Sequence, residues 1–177
     1  MNELSYHEEF RQKYKPQKVN VLFIGESPPA GGTFFYAANS NLFYSTKVAF
    51  QNVYPKRFST GSEFLEFFML LGCYLDDLCL EPVNRLSWDE RYKQRMLGVD
   101  SLNKRIKKYA PKAVIAVMLD IEYDVKEAVE KAGEVIQYFE SLPFPVFNHQ
   151  KRFEEELAEI LHKYHSDDIF YPPIIKP

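Results

Sequence analysis

The stretch VNVLFIGESPPAGGTFFY, residues 19–36, ends an unbroken apolar run in a carboxylate and a hydroxyl, Glu26 and Ser27. A carboxylate at such a place, partly withdrawn from water, suits general-base work or stabilisation of a developing cation. A hydroxyl there is a nucleophile once a base lies beside it. Two further carboxylates, Asp76 and Asp77, fall in a second apolar segment, and His149 closes a third. Of the four histidines it alone follows a strand-like segment and precedes a helix with a positively charged start, where imidazole can donate to a developing anion near neutral pH. Phe34, Phe35 and Tyr36 offer flat faces on which a planar base can stack. Each type also has an ordinary structural use: a loop carboxylate caps a helix, an imidazole bonds a backbone carbonyl, and rings fill a core.

Chemistry of this kind needs elements to hold it. Residues 2–14 read as a short charged helix capped by Asn2 or Ser5 and stopped before Pro16. VNVLFIG is apolar on both faces, as strands of a parallel sheet covered by helices are. The PPAGG run that follows forbids regular structure. A helix is expected from about Asn41, with Leu42, Phe43, Val48 and Phe50 as a partial apolar face, and another over 61–72, capped by Ser62 and ended by Gly72. Residues 73–83 predict a second strand running into a loop. Charge at helical spacing predicts a helix over 88–109, closed by Pro111. KAVIAVML, residues 112–119, is short, β-branched and flanked by turn signals, the pattern of a third strand. A helix over 121–133, one or two short strands in 134–150 and an amphipathic helix over 151–165 complete the chain. This alternation predicts one α/β domain over 1–177, three layers (α/β/α) around a central, mostly parallel sheet. Ligands of such sheets collect at the carboxyl ends of the strands, so Glu26, Ser27, Asp76, Asp77, Asp120, Asn148 and His149 are expected around one cleft.

A chain of 177 residues, 46% hydrophobic and 16% aromatic, can bury a substantial core without staples. Its net charge of −3 supplies no global attraction for polyanions, so any contact with nucleic acid has to be local. Two cysteines, Cys73 and Cys79, are too few for a structural zinc site or a thiolate-held cluster and read as reduced core residues. The start is too charged for a signal peptide and no apolar run approaches the ~20 residues of a membrane span. A cytoplasmic monomer without cofactor or metal is expected.

Two resemblances bear on function. FIGES resembles the strand and Gly-Asp-Ser that open the lipase and esterase family named for that tripeptide, which implies Ser27 as nucleophile. That family's C-terminal Asp-x-x-His has only FNHQ and HSDD as counterparts, and the tandem prolines break the helix expected after the serine. The second resemblance spans roughly residues 19–162. VLFIGESPPAGGTFFYAANSNLF, LGCYLDDLCLEPVNR, YAPKAVIAVM and PVFNHQKRF follow one another as do the signature segments of the uracil-DNA glycosylase superfamily, nearest the thermostable Gly-Glu-Ala-Pro-Gly type. The resemblance implies that fold and the excision of a damaged or deaminated base from DNA, flipped out of its stack into a pocket. It implies Glu26 as the carboxylate that orients water and stabilises an oxocarbenium-like sugar, and His149 as a donor to the departing base. It further implies Phe35 stacked on that base, Gly25 and Ser27 as backbone donors beside it, and Lys151 and Arg152 gripping DNA. The base-reading asparagine falls at Asp77; an ionised aspartate only accepts, which suits a base presenting an amino group better than uracil. The cluster-binding cysteines have no counterparts in Cys73 and Cys79. A non-catalytic nucleobase- or nucleotide-binding member of the same fold is the alternative.

Overall fold

Val21–Gly25 (β1) is buried along its whole length, and a strand without a solvent face can only lie inside a sheet covered on both sides. The computed structural model, which describes residues 6–170, places it there. Cys73–Asp77 (β2) lies on one side of β1, Ala113–Ala116 (β3) on the other, and Tyr138–Ser141 (β4) beyond β3, in the order β2-β1-β3-β4. Every pairing is parallel, so the expected mostly parallel sheet is parallel throughout. Gly25 is level with Asp77, and Ile24 with Ala116, which brings the carboxyl ends of the three central strands to one edge.

Among the described residues, helices alternate with the strands, two of them in succession between β1 and β2. Tyr6–Lys13 (α1) precedes β1; Asn41–Val53 (α2) and Gly61–Leu70 (α3) join β1 to β2; Trp88–Tyr109 (α4) joins β2 to β3; Glu122–Ala132 (α5) joins β3 to β4; Gln150–Ser166 (α6) follows. Packing of α4 on α5, and of α2 on α6, forms the two helical layers of an α/β/α sandwich.

Local signals set most of the boundaries. Ser40 Oγ accepts from Phe43 N at 3.2 Å and starts α2. Thr60, not Ser62, caps α3: its Oγ1 accepts from Glu63 N at 3.2 Å while the Glu63 carboxylate accepts from Ser59 N at 2.7 Å. The reciprocal pair Ser87 and Glu90 opens α4, the longest helix. Gly72 turns the chain into β2 with φ of 76°, a conformation open to glycine at little cost. Within α2, Val48 is exposed and the buried face is Leu42, Phe43, Ser45, Thr46, Ala49 and Phe50. Only one strand forms in 134–150. The expected Asn2 or Ser5 cap lies outside the described residues.

The core is aromatic between the sheet and the α2/α3 side. Phe23 meets Phe68 at 5.2 Å between centroids, and Phe50 and Phe64 meet at 5.5 Å. Among the described residues no helix is long and apolar enough to cross a membrane.

Candidate functional site

The chain leaves β1 for β2 on one side and later returns to β3 on the other, so the carboxyl end of β1 is where the sheet's order reverses and a crevice opens. A cleft of about 420 Å³ occupies that place. Gly25, Glu26 and Ser27 form its base, Leu75 and Asp77 enter from β2, Phe34 and Phe35 make one wall, and Met118, Phe144 and Val146 close it from β3 and β4.

The loop after β1 is shaped by residues whose backbones are fixed in advance. Pro28 and Pro29 restrict φ. Asn39 then brackets the glycine pair, its Oδ1 accepting from Phe34 N at 2.8 Å and its Nδ2 donating to Gly32 O at 3.1 Å. Asn84 Oδ1 accepts from Ala30 N at 3.3 Å and ties this loop to the one after β2. The three aromatics divide. Tyr36 belongs to the core, its hydroxyl donating to Leu75 O at 3.0 Å and accepting from Leu75 N at 2.7 Å. Phe34 and Phe35 are buried and face the cleft as well, Phe35 braced edge-on by Tyr36 at 5.1 Å.

Glu26 does not stand alone. Arg91 Nε donates to its Oε1 at 2.6 Å while Nη2 of the same residue holds Oε2. Arg95 Nε reaches Oε1 at 2.6 Å, and its Nη1 donates to Asp120 O at 3.1 Å. Such bidentate, charge-assisted contacts fix a carboxylate's orientation firmly. Asp77 is buried and paired through Oδ2 with Arg11 of α1. Its Oδ1 lies over Gly25, where any Cβ would strike it, so glycine is required for the carboxylate to occupy the cleft floor. Burial pushes the Asp77 carboxyl up to about 6; Arg11 opposes that rise and Asp76 adds to it. Asp76, also buried, contacts the Arg105 guanidinium and accepts from Asp77 N at 2.8 Å. Three strand-end carboxylates are thus met by four arginines.

The expected residues separate into two groups. Gly25, Glu26, Ser27, Phe35 and Asp77 line the cleft together. His149 does not: it is exposed at the start of α6, and its backbone N–H donates to Val146 O at 3.0 Å. Lys151 and Arg152 are exposed on the next turn, each paired with a glutamate four residues on, Glu155 at 3.5 Å and Glu156 at 2.7 Å. Ser27 Oγ accepts from Val83 N at 3.3 Å. Among the described residues no histidine lines the cleft, so Ser27 has no imidazole beside it there. Cys73 and Cys79 are buried free thiols; burial pushes Cys73 upward and Cys79 up to about 11, which leaves little thiolate. No group of three or more acidic, histidine or cysteine side chains among the described residues could hold a metal ion.

The arginines are what reading of the sequence missed. A signal existed: Arg91, Arg95, Gly98, Leu102, Arg105 and Tyr109 recur at alternating spacings of four and three, one stripe of α4. A stripe joining a glycine and a leucine to three arginines marks a helix face that packs closely and carries charge with it.

No family model matches the chain, and no curated protein does either.

Proposed function

We propose that the cleft receives a single nucleobase joined to its sugar, and that the chain is a DNA glycosylase-like hydrolase acting on a modified base in DNA. The observation that carries this reading is the convergence of a carboxylate, an aromatic wall and a buried acceptor, Glu26, Phe35 and Asp77, on one cleft of about 420 Å³ at the switch point of the sheet. That volume falls within the ordinary range of small-ligand pockets.

In the proposed reaction the bond from the base nitrogen to the anomeric carbon breaks, with its electron pair leaving on the base. Water adds its oxygen to that carbon and its displaced proton ends on the departing base. Glu26 orients the water and offsets charge on the sugar. Phe35 covers one face of the base, and Asp77 accepts from a donor on its edge. His149 stands outside the lining and takes no part in this step.

One observation favours the second reading, a base-binding member without catalysis. Both oxygens of Glu26 already accept from Arg91 and Arg95, so a water has to use a remaining lone pair, and two guanidinium charges oppose a sugar cation.

Oligonucleotides carrying uracil, hypoxanthine, xanthine or an unmodified base, incubated with the protein and treated with alkali, separate the two. Hydrolysis yields alkali-labile breaks at the modified base, reduced by about a hundredfold or more in Glu26→Gln. Saturable binding with no breaks establishes the non-catalytic reading, and equal cleavage by the variant removes Glu26 from the mechanism.

A further inference from the structure

Trp88 and Tyr92 stand on successive turns at the start of α4 and stack, ring centroids 5.8 Å apart and planes within 7° of parallel. Trp88 is 77% exposed and Tyr92 49%, so neither ring finds the burial that large aromatics usually find. With Arg91, Arg95 and Asp120 they line a second recess, of about 400 Å³. Arg91 lines this recess and the first cleft alike, so the two adjoin across one side chain. It spends Nε and Nη2 on Glu26, which leaves its Nη1 for a group arriving from solvent.

We infer that this recess binds the nucleotide next to the one held in the cleft, its base stacked on Trp88, and that the DNA engaged is single-stranded. The inference rests on the reading of the first cleft as a nucleobase site. An exposed indole backed by a parallel phenol ring presents one open face, on which any base can stack whatever its edge pattern. A base inside a duplex has both faces covered by its neighbours, so an unpaired strand is the partner that can use this face. The phosphate joining the two nucleotides passes the remaining donors of Arg91, which suit an anionic oxygen.

Trp88 is the only tryptophan of the chain, so its emission reports on this recess alone. A short, unmodified single-stranded oligothymidylate is titrated against the whole protein while emission is followed; binding of the same strand with a terminal fluorophore is followed by anisotropy. The expected result is saturable quenching, binding weakened about tenfold in Trp88→Ala and by less in Trp88→Phe, and no quenching by the corresponding duplex. Absence of binding, binding with unchanged emission, or equal binding by Trp88→Ala overturns the inference. So does a dimer in sedimentation that Trp88→Ala abolishes, which would give the exposed rings to self-association. An unmodified strand offers nothing to excise, so quenching is independent of catalysis. Base release without quenching sinks this inference and leaves the reaction standing; quenching without base release does the reverse.

Discussion

Asp77 combines two demands that oppose one another: it is buried against Arg11, and it lines the cleft proposed to read a base. Burial is the larger influence, and it lifts the carboxyl from its ordinary 3.8 to about 6. The folded chain therefore binds one more proton than the unfolded chain between those values. The stability this group contributes is complete below about pH 4 and is lost as pH rises through about 6. Asp77→Asn, fixed in a neutral form, escapes that decline. Thermal midpoints of wild type and variant should diverge steadily between about pH 4 and 7, wild type losing ground as pH rises; a constant difference would show that Asp77 titrates normally. The same proton changes what the cleft can read. A carboxylate accepts only, whereas the protonated acid donates and accepts as an amide does. Strands carrying an amino-bearing base should compete better at about pH 8, and those carrying uracil should gain at about pH 5; Asp77→Asn should favour uracil at both. A preference that ignores pH in the wild type would remove Asp77 from base reading.

Among the elements, α4 has the most to do with the site, because it carries Arg91, Arg95 and Arg105 across the ends of β1 and β2. Its approach is set by Gly98, where a Cβ would stand 2.6 Å from Leu78 O. Alanine would favour the helix by about 1 kcal/mol. The obstacle, however, is a backbone carbonyl that cannot swing aside, and overpacking of that kind costs about 1–3 kcal/mol. Gly98→Ala should lose about 1 kcal/mol net in denaturant unfolding, whereas Leu97→Ala, exposed on the neighbouring position, should stay within about 0.5 kcal/mol. A gain of about 1 kcal/mol in Gly98→Ala, the whole helix preference of alanine, would mean that α4 does not sit closely on Leu78. Much of this element was legible in advance: charge at helical spacing placed it over 88–109, and Trp88–Tyr109 is where it forms. Its partner was not, because periodicity describes a helix's own faces and says nothing of what each face meets. A charged face reads as solvated until the fold carries it over buried carboxylates. The same gap explains His149. The strand expected to deliver it ends at Ser141, and the intervening loop turns the imidazole out to solvent. Glu26 and Asp77 came together because register along a parallel sheet sets Gly25 level with Asp77, whereas Phe35 reaches the cleft through the loop that Asn39 brackets.

At the scale of the whole molecule, a net charge of −3 limits how the proposed DNA partner could be held. Lys151 and Arg152 are already paired with glutamates, and Arg91 and Arg95 with Glu26, so each of these four has to share or leave a carboxylate to displace a counterion. Surface pairs one helical turn apart are worth only about 0.3–0.5 kcal/mol, so a phosphate can take the two α6 cations over. Counting Arg91 with those two gives at most about three neutralised phosphates. On a single strand each contributes roughly −0.7 to the slope of log affinity against log salt, so the slope should lie between about −0.7 and −2. Affinity that survives a rise in salt is what stacking on Trp88 and Phe35 would supply, since ring contacts are indifferent to counterions. A slope several times steeper would mean that a basic track elsewhere carries the strand, and would separate DNA binding from the cleft altogether.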